Sequence, residues 1–348
     1  MKNITEIDKN FAVKTGIERE GIKFYDCMNE PFKIYGIFME NGKFRRMPQN
    51  IAESVSVGVN ALHANTAGGR VRFVTDSPYV AIAASVGETC RMSHFALTGS
   101  CGFDLYADNV YIKTFTPPYE PTDSFDGIIE IGERKLREII INFPLYSEIT
   151  GLYIGLDGDA VVKEAMPYKN DKPIVYYGSS ITQGGCASRP GMAYQNIISR
   201  RLNCDFINLG FSGSAKAEDA MIDYIKDMDM SVFVYDYDHN APDAEYLEKT
   251  HEKMFKAIRE KNPDLPIIIM TRPKVNLQEH EIAMRAVIEN TYNNAVKAGD
   301  VNVYFIGGDK LMSLCGNEGT VDNCHPTDFG FASMAKTLGD FMEENKLI

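Results

Sequence analysis

The chain has 348 residues, 44% of them hydrophobic and 24% charged, the balance of an ordinary globular protein and enough length for two domains. A formal net charge of −12 argues against nucleic acid and anionic membrane surfaces as partners, and no run approaches the roughly 20 apolar residues of a membrane-spanning helix. Seven scattered cysteines without CxxC spacing argue against a disulfide framework or a zinc site and predict reduced thiols.

Residues 1–8 carry charges where a secretory signal would carry its apolar core, which predicts a cytoplasmic protein. From about 20 to 157 the chain reads as short strands rich in β-formers, at 54–59, 70–74, 80–86, 103–107, 110–115, 138–143 and 151–156. Their even spacing predicts an all-β sandwich or jelly-roll domain over 1–165. Within it the basic run from Lys43 to Arg46 reads as a solvated loop.

Beyond a polar stretch at 167–172 the period changes. Apolar strands are predicted at 173–177, 205–209, 231–235, 266–270 and 301–306, with helices near 191–202, 216–227, 243–261, 278–298 and 327–344. Such alternation predicts an α/β domain over 171–348, a parallel sheet covered on both faces. Ligands of such sheets bind beyond the carboxyl ends of the strands, so the chemistry is expected in the loops that follow them.

Four loops carry the chemistry. The first, Gly178-Ser179-Ser180-Ile181-Thr182-Gln183-Gly184, reads either as a plain turn with an N-cap serine or as a hydroxyl nucleophile at a strand end; no Gly-Lys-Ser/Thr follows to make a phosphate loop. In the second, Gly213 is a turn glycine or a place where a backbone N–H approaches a reacting oxygen. In the third, Asn240 follows a dense polar stretch from Asp236 and can donate its amide to an oxyanion. In the fourth, Asp322 and His325 stand three apart before Pro326, so that the carboxylate can hold one ring nitrogen while the other takes a proton from serine. Asp236 and His239 have the same spacing and are a rival pair. His63, His94, His251 and His280 have no such company and read as surface or satisfied core residues.

Taken together and in this order, the four loops resemble the SGNH (GDSL-like) hydrolase superfamily, which implies a flavodoxin-like three-layer sheet. Gly178-Ser179-Ser180 corresponds to the family's Gly-Asp-Ser block, Gly213 to the glycine of the second block, Asn240 to the asparagine of the third, and Asp322 with His325-Pro326 to the terminal Asp-x-x-His-Pro. The resemblance implies Ser180 as nucleophile, His325 as base, Asp322 as its orienter, and Ser180, Gly213 and Asn240 as the oxyanion hole. Ser179 departs from the family's aspartate, and the third block reads Asp-His-Asn-Ala rather than Gly-x-Asn-Asp.

A subgroup with Gly-Ser-Ser-Ile-Thr-Gln-Gly and a downstream Ser-Arg-Pro-Gly, here 188–191, is closer still; its members carry an N-terminal β domain named for a Gly-x-Asp-Leu-Tyr motif, matched by residues 102–106. Asp104 in that motif has no catalytic partner in the sequence and reads as structural. Arg189, His239 and Gln183 are candidates for contact with substrate, Arg189 equally for pairing with a surface acid. Similar two-domain proteins remove acetyl groups from sugars, which implies a small-molecule or oligosaccharide ester as substrate and no cofactor or metal. An acyltransferase using an alcohol acceptor and a noncatalytic sugar-binding protein are the alternatives, and a homo-oligomer is compatible with either. With no tryptophan among 18 tyrosines and 19 phenylalanines, the β domain reads as a wall of the active site rather than an independent sugar-binding module.

Overall fold

The computed structural model describes residue 13 and residues 15–348, so the reading of residues 1–8 lies outside the described residues. The chain forms two units. One holds the described residues up to 45, 64–167 and 189–191; the other holds 46–63, 168–188 and 192–348. Among the described residues no helix is long and apolar enough to cross a membrane.

The first unit is built from antiparallel sheets. One orders its strands Ile22–Asp26, Ser147–Asp157, Tyr79–Thr89 and Ser124–Glu130; the other runs Val162–Lys163, Arg70–Thr75, Arg137–Asn142, Phe103–Ala107 and Val110–Phe115, with Lys33–Tyr35 also paired to Arg70–Thr75. Alternate residues of each strand face one shared core: Val71 and Phe73, Phe103 and Leu105, and Ile139 and Ile141 meet Val80, Ile82, Leu152 and Ile154. That period of two makes a sandwich, because successive side chains of a strand point to opposite faces. The intervening residues Arg70, Arg72, Asp104, Tyr106 and Asn142 are buried as well. Asp104, level with Asn142 in the ladder, accepts hydrogen bonds from Asn142 Nδ2 (2.8 Å), Arg189 Nη1 (3.1 Å) and Gly191 N (2.8 Å). A Cβ on Gly191 would overlap Tyr106 and Asp104, which accounts for glycine there.

The second unit is a five-stranded parallel sheet in the order Phe206–Gly210, Ile174–Gly178, Val232–Asp236, Ile267–Met270 and Val303–Ile306. Strand order reverses beside the first strand in sequence, which makes the sheet doubly wound and opens a crevice at its carboxyl edge. Helices Tyr194–Leu202, Asp219–Lys226, Ala244–Lys261, Glu279–Lys297 and Asp328–Glu344 surround it and fall where the sequence pattern placed them. Ala244–Lys261 shows why: Leu247, His251, Met254, Phe255 and Ile258 recur at helical spacing and are buried, while Asp243 caps its first turn.

Two expectations are corrected here. Residues 54–59 are not a strand: Gln49–Val55 and Val57–Leu62 are helices, separated by Ser56, whose Oγ caps the second. Ile51, Ala52, Val55, Val59 and Leu62 pack at spacings of one to four residues onto the core of the parallel-sheet unit, so the helical period outweighs the local Ser-Val alternation. Residues 46–63 therefore belong to the parallel-sheet unit, although they precede most of the antiparallel one in sequence. Lys43–Arg46 is also no solvated loop. Lys43–Arg45 is a strand paired with Phe38–Glu40, and the side chains of Arg45 and Arg46 are buried.

Candidate active site

The sheet brings the first three chemical loops to one edge. Gly178 is level with Gly210 on one side and with Asp236 on the other, so the segments leading to Ser180, Gly213 and Asn240 leave the sheet together. A Cβ on Gly178 would overlap Asp236 Oδ1, and one on Gly210 would overlap the Gln183 backbone. Both glycines let the turn after the strand Ile174–Gly178 lie directly on its neighbours.

That turn is a single helical turn, Ser180–Gln183. Ser179 caps it by accepting the Ile181 N–H at 3.2 Å, and Gly184 ends it in the left-handed region at φ 109°. Serine and aspartate are both good N-caps, worth about 1 kcal/mol over alanine, so Ser179 serves where an aspartate would. Beneath the turn, Thr182 Oγ1 donates to Asp236 Oδ1 at 2.5 Å, and the Thr182 carbonyl accepts Gln195 Nε2 and Asn208 Nδ2, each at 2.7 Å. Burial pushes the Asp236 carboxyl well above the ordinary carboxylate range.

Ser180 Oγ lies 2.9 Å from His325 Nε2, and His325 Nδ1 lies 2.7 Å from Asp322 Oδ2. The other Asp322 oxygen accepts the backbone N–H groups of His325 (2.7 Å) and Cys324 (3.0 Å), which fixes the carboxylate before it fixes the ring. A bridge between Thr320 and Pro326 closes this loop, and Thr327 caps the helix that follows. The sequence of contacts suits proton transfer from the serine hydroxyl: a carboxylate holding Nδ1–H leaves the Nε2 lone pair facing Oγ. Burial works against ionisation of Asp322, but the backbone N–H and ring of His325 outweigh it and hold the carboxyl below its usual range.

His325 itself is pushed up to about 9, chiefly by hydrogen bonding with the Cys324 thiolate, against burial and with help from Asp322. Burial opposes ionisation of Cys324, yet His239 and then His325 bring the thiol down to about 6. Cys324 is the residue of this site that sequence reasoning missed. Its place next to His325 was visible, whereas its approach to His239 depends on the fold.

The rival pair is not assembled. Asp236 faces Thr182, and His239 Nδ1 stands 3.8 Å from Cys324 Sγ with no other side-chain partner on either ring nitrogen among the described residues. Asp238 between them is taken by Arg272, at 3.0 Å from its Nε.

The oxyanion candidates are linked to each other. Gly213 adopts φ 67° with open space around it, a conformation glycine takes at no steric cost. Phe211 O accepts the N–H of Ser214 (2.9 Å) and Asn240 Nδ2 (2.9 Å), so one carbonyl ties the Gly213 turn to the Asn240 amide. An amide carries two donor hydrogens, which leaves Asn240 one to offer.

Gln183 is corrected as a substrate contact: its side chain is fully buried and its Oε1 accepts the Ser212 N–H at 3.0 Å. Arg189 takes the acid-pairing alternative, but with a buried partner: it bonds Asp104 and the Tyr106 hydroxyl and stacks 3.8 Å from the Tyr111 ring. His94 and His280 are exposed and His63 is buried against Asn60 O. Burial pushes His251 down to about 3, and its Nδ1 pairs with Thr291 at 2.9 Å.

Residues 171–343 match the GDSL-like lipase/acylhydrolase family, and residues 22–162 match the GxDLY family, described as the N-terminus of Esterase_SGNH_hydro-type. A solved structure from Bacteroides ovatus, assigned as a GDSL-like lipase, is 28% identical with a TM-score of 0.82, covering 93% of this chain and 97% of that one. A salicylyl-acyltransferase from a tetracycline biosynthetic pathway shares the fold at 16% identity and TM-score 0.77, over 95% of this chain and 99% of its own. A family two carbohydrate esterase from Clostridium thermocellum, solved with cellohexaose, shares it at 14% identity and TM-score 0.60, over 82% and 94%. No curated protein matches the chain.

Proposed function

This chain belongs to the GDSL-like lipase/acylhydrolase family, and from that footing we propose that it is a cytoplasmic serine esterase removing small acyl groups, acetyl foremost, from carbohydrate esters. The observation that carries the reading is the unbroken series from Ser180 Oγ through His325 to Asp322. His325 Nε2 takes the Ser180 proton, Oγ attacks the ester carbonyl, and the oxyanion is met by the N–H groups of Ser180 and Gly213 and the free hydrogen of Asn240. His325 then protonates the leaving alcohol, and water repeats the attack on the acyl-serine. Seven free thiols favour a reducing compartment. Carbohydrate esterases among the structural neighbours support the substrate class.

The test is release of acid from chromogenic acetate, propionate and butyrate esters and from acetylated oligosaccharides. The expected result is turnover of acetate esters, with kcat/KM falling about tenfold or more by butyrate, since a misfitting methylene is worth roughly 10- to 200-fold. Failure to hydrolyse any ester sinks the esterase reading, and a preference for butyrate sinks the small-acyl part. Turnover only when an alcohol acceptor is added would make the protein an acyltransferase, the chemistry named for the 16% identical neighbour.

The pH profile follows from His325. A general base acts only when neutral, so a base pushed up to about 9 makes kcat/KM climb across the range between neutrality and pH 9, by roughly tenfold per unit well below the midpoint. Cys324→Ala removes the largest cause of that elevation and is expected to move the midpoint towards neutrality. A wild-type profile already flat above pH 7 would contradict this role of the thiolate.

A further inference from the structure

Arg46 is 2% exposed, and its guanidinium is spent on main-chain oxygens. Nη1 donates to Asn208 O at 3.1 Å and Gly210 O at 2.6 Å, while Nη2 donates to Leu62 O at 2.7 Å. The first two oxygens belong to the outermost strand of the parallel sheet, at the end from which the Gly213 turn departs. An edge strand leaves every second carbonyl without a neighbour, and Asn208 and Gly210 are two such positions. The rigid fork of arginine meets both, with its second nitrogen on the carboxyl-terminal carbonyl of an inserted helix, where positive charge is favoured.

The next residue beyond Gly210 carries the effect further. The Arg46 guanidinium lies over the Phe211 ring, 4.7 Å from its centroid, and Phe211 O is the carbonyl shared by the Gly213 turn and Asn240. The inserted helix presses on the same turn from another direction: a Cβ on Gly58 would overlap Ser214 Oγ. Arg46 thus grips the strand end before Phe211, the ring of Phe211 and the helix that abuts Ser214.

We propose that Arg46 is a positioning residue that holds Gly213 N–H and the Asn240 amide at the place where an oxyanion forms. The proposal rests on the esterase reading for its chemistry. Donors act when they stand about 2.7–3.1 Å from the developing oxyanion, and a displacement of about 1 Å costs on the order of 100-fold. Arg46 touches no substrate, so its loss should be felt in the chemical step and not in ground-state binding.

The experiment compares Arg46→Lys, Arg46→Met and Gly58→Ala with the wild type on a chromogenic acetate ester. Arg46→Met and Gly58→Ala are expected to lower kcat about 10- to 100-fold with KM within about twofold. Arg46→Lys is expected to recover only part of the loss, because an ammonium cannot span both strand carbonyls and the helix end in one plane. Combined with Asn240→Ala, Arg46→Lys should cost little further, since both act on one set of donors. Full additivity in that pair, or a loss carried by KM, would overturn the proposal. Should Arg46→Met not fold, Arg46→Lys and Gly58→Ala carry the same comparison. Amide hydrogen exchange of residues 211–214 separates this test from the esterase reading: faster exchange in Arg46→Lys is expected whether or not the wild type hydrolyses esters, and unchanged exchange would refute the positioning role.

Discussion

Ser180→Ala and His325→Ala are each expected to lower kcat by about 10⁵- to 10⁶-fold, and the double variant to lose little more, because residues that act as one unit fail together. The reason lies in the chain of contacts. Without Oγ there is no nucleophile, and without the ring Oγ keeps a proton that water at neutral pH removes poorly. His239→Ala is the informative control. His239 faces Cys324 at 3.8 Å, while the carboxylate that would have oriented it, Asp236, is bonded to Thr182. Its removal is expected to change the rate by less than about tenfold, and near neutral pH not downward, because the Cys324 thiolate that it supports is what raises His325. Steady-state rates with an acetate ester, together with covalent labelling by a fluorophosphonate located by mass spectrometry, decide the matter. Label on a serine other than Ser180, or an inactive His239→Ala beside an active His325→Ala, would reassign the site.

Asn240→Ala should cost about 100- to 1000-fold in kcat with KM little changed, the usual consequence of losing one oxyanion donor. The fold should survive the change: Phe211 O retains the Ser214 N–H when the amide is gone. Asn240→Asp should be worse than alanine, because it sets a carboxylate facing both a carbonyl oxygen and a developing negative charge. A tetrahedral mimic such as a boronic acid should lose affinity in parallel with kcat. Equal losses in kcat and in binding of a ground-state ester would show that Asn240 holds substrate rather than the transition state.

Much of the parallel-sheet unit could be read from the chain because its signals are local. Apolar strands such as 174–178 alternate with helices whose buried faces recur at helical spacing, and the loops of interest follow from strand ends. What could not be read depended on partners distant in sequence. The 54–59 stretch satisfies an alternating pattern by its serines and valines, yet its valines, together with Ile51 and Leu62, also fit a helix, and only the core they pack on decides between the two. Arg46 reads as solvated charge until the strand edge more than a hundred and fifty residues later is known. Gln183 is the last residue of the nucleophile turn and in sequence looks available to substrate; the single turn of helix points it inward instead. For the two histidines the local sequence was balanced, since each had an aspartate three residues before it.

The assignment of 46–63 to one unit and 189–191 to the other has a consequence for any attempt to cut the chain. Each unit is encoded in pieces that straddle the other's coding stretch, so one cut between residues 165 and 171 yields neither compact unit whole. A cut there would give a carboxyl-terminal fragment whose outer strand has lost Arg46 and whose core has lost the cover of Ala52 and Val59. A transplant of the parallel-sheet unit should therefore carry residues 46–63 with it.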